Sequence, residues 1–183
     1  MSSSSTSSPP SLCDFALPIF HNGLHSLTHI LESAKSFAPT QGLNPDEAYV
    51  QARLIDDQLP LVFQIQNAVK TVMINLNRLT GKELPLDLNQ GNNEKTFGDM
   101  IHLVRLATLE VRSVMENQPE EKKDSEIINL LAGGRPIRLT VSEAVRLHGI
   151  PNFIFHITTA YSILRAKGVP LGKADFISGF VGW

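Results

Sequence analysis

PNFIFHITTAYSILRAKGVPLGKADF, running from Pro151 to Phe176, is the stretch that decides the fold. Pro151 suits a first helical turn and Gly168 suits a helix stop. Between them Phe153, Ile157, Ala160, Tyr161 and Leu164 recur at helical spacing and make one apolar face. His156 falls at the edge of that arc. Asn152 lies one turn before it and Thr159 three residues after it.

Outward from this helix, the same periodicity predicts three more. Leu17, Phe20, Leu24, Leu27, Leu31 and Ala34 form a stripe from about Pro18 to Phe37. Leu61, Ile65, Ala68, Val69, Val72 and Leu76 form a second, opened by Pro60 and closed at Gly81. Phe97, Met100, Val104, Ala107, Val111 and Val114 form a third, opened by Thr96 with Asp99 as a capping box and ended by Pro119. Asn44-Pro45-Asp46-Glu47 predicts a short extra helix to about Leu54, and Thr140 to Glu143 caps another to about His148. Lys82 to Glu94 reads as a polar loop.

One region is strand-like. Glu126–Leu131 and Arg135–Val141 flank Ala132-Gly133-Gly134, and Ile137, Leu139 and Val141 alternate with Arg138 and Thr140. That pattern predicts a small β-hairpin before the last long helix. The expected fold is all-α: a four-helix bundle with short extra helices and this hairpin. Residues 1–13, rich in Ser and Pro, read as a disordered tail. Residues 14–183 read as a single domain, in keeping with a length of 183.

Composition narrows the function classes. Apolar residues make 42% and charged residues 19%, enough for a buried core. The net charge of −2 brings no basic cluster, so nucleic acid is not expected as a partner. No apolar run approaches a membrane span, and membranes are not expected either. The lone Cys13 cannot form an internal disulfide and has no activating neighbours, which fits a reducing, cytoplasmic setting.

Pro151-Asn152-Phe153, Phe155-His156, Thr158-Thr159-Ala160-Tyr161, Ile163-Leu164-Arg165, Gly168-Val169, Gly172-Lys173 and Asp175-Phe176 together carry a likeness. This tail resembles the C-terminal signature of a fungal and bacterial domain family of unknown function within the DinB/YfiT-like superfamily. Asp57-Gln58-Leu59-Pro60-Leu61 and Gln64-Ile65-Gln66 resemble its second-helix motif. The resemblance covers roughly residues 15–180 and implies a four-helix bundle. In many superfamily members it implies a divalent metal on three histidines, one from the second helix and two from the last, four residues apart. Others use a low-molecular-weight thiol.

This chain departs from that metal pattern. The second helix holds no histidine, and the positions four residues either side of His156 are Asn152 and Ala160. A divalent ion wants at least three ligands on one site, so no metal and no cofactor are expected. His21, His25 and His29 are four apart, but they sit opposite the apolar stripe of the first helix and read as a solvated face. His102 likewise falls opposite its stripe. Asp56 and Asp57 fit a helix cap better than a catalytic carboxylate pair. Gly168 to Lys173 reads as a turn that packs the tail.

Two readings of His156 stay open. It is a satisfied core histidine tied to a carbonyl or to Asn152, or a neutral general base or ligand contact. The second makes His156 the candidate catalytic residue, with Asn152, Tyr161, Gln64 and Thr159 as ligand-binding candidates. The expected function is then a metal-independent small-molecule-binding protein, or an isomerase, lyase or hydrolase acting on an apolar or aromatic metabolite. The alternatives are a non-catalytic interaction protein that forms a homodimer, with the histidine face of the first helix as contact, and a metal-dependent hydrolase with remodelled ligands.

Overall fold

The computed structural model describes residues 10–81, 96–117, 124–132 and 134–182. Four long helices make the bundle: α1 (Leu12–Phe37), α3 (Leu61–Thr80), α4 (Phe97–Asn117) and α6 (Ile150–Ala166). α1 and α3 each pack against both α4 and α6. Leu24, Leu27, Leu31, Ile65, Leu76, Val104, Phe153 and Ile157 fill the centre, the apolar stripes that the periodicity marks out. α2 (Pro45–Tyr49) begins at the expected Asn44 cap, whose side chain accepts from the Asp46 N–H, but it stops at Tyr49, short of Leu54. Gly81 closes α3 in the left-handed region, φ 70°. Thr96 and Asp99 cap α4 reciprocally, at 2.9 and 3.1 Å.

β1 (Ile127–Ala132) and β2 (Arg135–Thr140) pair antiparallel with Leu130 opposite Ile137 and Ile128 opposite Leu139. Ile137 and Leu139 are half-buried while Arg138 is exposed, as the alternation requires. The reciprocal Thr140–Glu143 cap then starts α5 (Val141–Glu143).

Three further features differ from the expectations. α1 starts at Leu12, not near Pro18. Ser11 and Asp14 form a capping box there, and Pro18 stands inside the helix. A proline removes one helical N–H, a cost offset here by the burial of Leu12, Cys13 and Ala16 ahead of it. The boundary read at 13/14 therefore falls within the first turn of α1, and residues 1–9 of the expected tail lie outside the described residues. So does the polar loop 82–94, and so does Pro119.

The second difference is at Pro151, which does not begin a separate helix. The chain stays helical from α5 through a π-helical segment, Ala144–Gly149, into α6. Ile150 donates to Val145, five residues back. Widening the turn there accommodates a proline without its usual clash with the preceding turn. Gly149 is then pressed against α3, where a Cβ would run into the Asn75 amide.

Third, the tail beyond Gly168 is not only a turn. α7 (Lys173–Val181) lies across α1, begun by the Gly172 N–H donating to Asp175 Oδ2 at 2.7 Å. Its nine residues are too few to carry a strong helical periodicity.

Candidate functional site

α3 and α6 run antiparallel along one side of the bundle, and their polar residues meet in three steps. Asn75 faces Gly149 near one end. Asn152 Nδ2 donates to Thr71 Oγ1 at 2.7 Å in the middle. His156 Nδ1 meets Gln64 Oε1 at 2.9 Å further along. Gln64 Nε2 in turn donates to the Leu59 carbonyl at 2.9 Å, which ties the pair to the loop entering α3.

His156 is buried, at 8% exposure, and Gln64 at 2%. Burial pushes the His156 pKa below the usual histidine value. The Phe155 ring packs edge-on at 5.4 Å between centroids, and the Phe63 ring at 6.2 Å. Nε2 has no protein partner among the described residues, yet it is not sealed from solvent.

Phe155, which packs on this ring, also lines an open groove of about 550 Å³ between the outer face of α6 and the loop before α3. Leu54, Pro151, Ile154 and Phe155 give it an apolar wall, and Thr158, Thr159 and Ser162 add hydroxyls. Phe155 is 57% exposed and Leu54 is 42% exposed.

The candidates from the sequence divide on this geometry. His156 and Gln64 come together, while Thr159 lines the groove on α6. Asn152 is taken by Thr71 and is not the partner of His156. Tyr161 points away, its ring edge-on to Phe176 of α7 at 5.9 Å. The spacing gives no hint of Leu59 or Phe63 beside the imidazole; the aromatic from α3 is visible only once α3 and α6 are packed, whereas Phe155 adjoins His156 in the sequence.

The histidine face of α1 is exposed at His25 and His29, as expected. α7 crosses beside it. His29 Nε2 pairs with Asp175 Oδ1 at 3.1 Å, and Asn22 Nδ2 donates to the Phe180 carbonyl at 3.3 Å. Burial, with His21 and Arg112 nearby, lowers the His25 pKa. His25 and His29 line a polar cleft of about 420 Å³ between the two helices. His102 is exposed.

Among the described residues, no group of three or more His, Cys, Asp or Glu is placed to hold a metal ion. On α3 the residue facing His156 is Gln64, whose amide oxygen is already engaged by the ring. The three-histidine centre of the superfamily does not fit these residues.

A family model described as a domain of unknown function, DUF1993, matches residues 12–177. The chain belongs to the DUF1993 family. A crystal structure described as a DinB family member protein from Shewanella denitrificans shares the fold of this DUF1993 domain at a TM-score of 0.75. It is 30% identical, with 91% of each chain covered. The DUF1993 domain is thus DinB-like, as the tail signature implies. No curated protein gives a significant match. Among the described residues, no helix of the domain is long and apolar enough to cross a membrane.

Proposed function

We propose that this DUF1993 domain binds a small apolar or aromatic molecule in the groove along α6, with His156 as a neutral proton acceptor at its edge and no metal. The observation that carries this reading is the engaged Nδ1 of His156 beside an Nε2 that has no protein partner among the described residues. A core histidine satisfied on both nitrogens would have nothing left to offer a ligand. Here the ring is held on one side only. Gln64 fixes its orientation, and burial keeps it neutral at pH 7, the state a general base requires. If a bound molecule gives up a proton, Nε2 takes it, and Nδ1 keeps its bond to Gln64.

The groove is a separate argument. It is apolar with a few hydroxyls, the usual make-up of a small-molecule site, although it is open rather than enclosed. The test is a ligand screen by NMR on the full chain, repeated with Phe155→Ala and His156→Gln. Hits that shift groove residues and are lost in Phe155→Ala support the reading. A chain that binds nothing, or hits that cluster away from α6, would remove it.

A second reading is favoured by the exposure of Phe155 at 57%, Ile55 at 60% and Leu59 at 47% on this side. Such apolar exposure also suits a protein–protein contact. A concentration-dependent mass in light scattering, abolished by Phe155→Ala, would support that non-catalytic interaction role.

A further inference from the structure

The hairpin has two edges, and only one of them is closed. The Val141 N–H donates to the Glu126 carbonyl at 2.8 Å, which makes these two residues a hydrogen-bonded pair. Bonded and non-bonded pairs alternate along an antiparallel ladder. Ile128 with Leu139, Leu130 with Ile137 and Ala132 with Arg135 are therefore bonded pairs too, and the pairs between them are not. The backbone groups of Ile127, Asn129 and Leu131 point outward along the β1 edge, and those of Pro136, Arg138 and Thr140 along the β2 edge. The β2 edge offers little to a further strand. Pro136 has no N–H, Arg138 brings a charge, and the Thr140 N–H is taken by Glu143 Oε2 at 2.9 Å. Prolines and charges are what keep sheet edges from pairing. β1, which reads IINLLA, has neither. Ile127 is 57% exposed, and Asn129 is exposed as well. Among the described residues nothing donates to or accepts from the outward backbone groups of β1.

We infer that the β1 edge pairs with β1 of a second copy of this chain, the two strands running antiparallel about a two-fold axis at Asn129. The strand complements itself in that register. The outward groups of Asn129 meet those of their own counterpart, and the groups of Ile127 meet those of Leu131 in the second copy. Ile128, which packs against the core, comes opposite Leu130 of the second copy, so the apolar face continues across the contact. Glu126 comes opposite Ala132, and no like charges meet. Another extended peptide would find the same backbone groups but not this match of side chains. A two-stranded hairpin becomes a four-stranded sheet, which suits a fold in which an isolated pair is only marginally stable. One strand pairing is a small interface, so the dimer depends on concentration.

The experiment is sedimentation equilibrium of the full chain across a concentration series, with amide-resolved hydrogen exchange by NMR. The mass should rise from one copy towards two. The Ile127, Asn129 and Leu131 amides should pass from fast to slow exchange over the same range, while Ile128 and Leu130 stay slow throughout. Asn129→Pro removes an N–H that the hairpin does not use, so the chain should stay folded and associate at least about tenfold more weakly, the effect of the hydrogen bonds lost at the axis. Asn129→Lys keeps the backbone donor and sets like charges against each other, and should weaken association should the proline variant fold poorly. Phe155→Ala should change nothing. A chain that is monomeric at every concentration, with the outward amides always fast, overturns the proposal and leaves the edge to an extended segment of another protein. A dimer that survives both Asn129 variants, or one that Phe155→Ala abolishes, overturns it by assigning the contact to another surface.

Discussion

His156 on α6 and Gln64 on α3 are joined by a buried hydrogen bond of 2.9 Å, and no other side-chain contact of His156 is polar among the described residues. The bond joins two helices at the point where the bundle also meets the loop ending at Pro60, because Gln64 passes it on to Leu59. It is therefore both a structural tie and the element that sets the ring's tautomer.

Removing both partners should cost less than the two single removals added together. Gln64→Leu leaves a buried Nδ1–H unpaired and should destabilise by ~1–3 kcal/mol. The double variant Gln64→Leu/His156→Leu should cost less than the sum of the two singles, since the imidazole is then no longer stranded and only the Leu59 carbonyl, left without its donor in Gln64→Leu as well, lacks its partner. Urea unfolding of the four proteins checks this. Additive losses would mean that the bond contributes nothing in solution.

Stability should fall on mild acidification. The folded His156 ring is held below its ordinary value by burial, while the unfolded ring titrates near about 6.5. Folding thus favours the neutral form. This contribution is fully present above about pH 6.5 and is lost as pH drops towards the folded pKa. His25 and His148 are shifted in the same direction, chiefly by burial, and add to the slope. His156→Gln should flatten the change in urea midpoint between about pH 7.5 and about pH 5 relative to the parent chain. An unchanged slope would assign the effect to the other histidines.

Two glycine-to-alanine changes should act in opposite directions. At Gly179 a Cβ would lie 2.5 Å from the Ser26 backbone nitrogen and 2.8 Å from the Asn22 carbonyl. Backbone atoms cannot swing aside, so Gly179→Ala should push α7 off α1. The expected loss is ~1–3 kcal/mol, with faster hydrogen exchange over residues 173–181. At Gly98, in the first turn of α4, the nearest atom is Thr96 Oγ1 at 3.6 Å, an ordinary contact. Gly98→Ala should stabilise by up to ~1 kcal/mol through lost freedom in the unfolded chain. Equal effects at the two sites would contradict the close approach of α7.

The early start of α1 is also measurable. Ser11 accepts from the Asp14 N–H at 3.1 Å, and Asp14 accepts from the Ser11 N–H at 3.0 Å. Ser11→Ala should cost ~1 kcal/mol. A neutral result in thermal or urea unfolding would move the effective start of the helix towards Pro18.

Features made by residues close in the chain are legible in the sequence, and the differences at the helix starts share one cause. Thr96 with Asp99, Asn44 with Pro45, and Thr140 with Glu143 announce helix starts because a cap is made by residues three or fewer apart. Pro18 and Pro151 misled for the same reason: a proline at the head of an apolar stripe looks like a first turn. In the fold, Ser11 begins α1 upstream of Pro18, and the π-helical segment carries the chain through to Pro151. At the site, His156 stood out by its place on the arc and Gln64 by its place beside the α3 stripe. Their pairing is not legible there, since Asn152, one turn away on the same helix, is the nearer polar group in sequence, yet it pairs with Thr71.

By itself the sequence determined the four amphipathic rods, their caps and the hairpin, because hydrophobic periodicity and capping act over a few residues and need no distant partner. Only the tertiary structure decided that Gln64 and His156 meet across 92 positions, that Tyr161 turns to Phe176, and that α7 closes over α1. Those choices depend on how the packed faces rotate against one another. That rotation is fixed by the fit of the whole core rather than by any one segment.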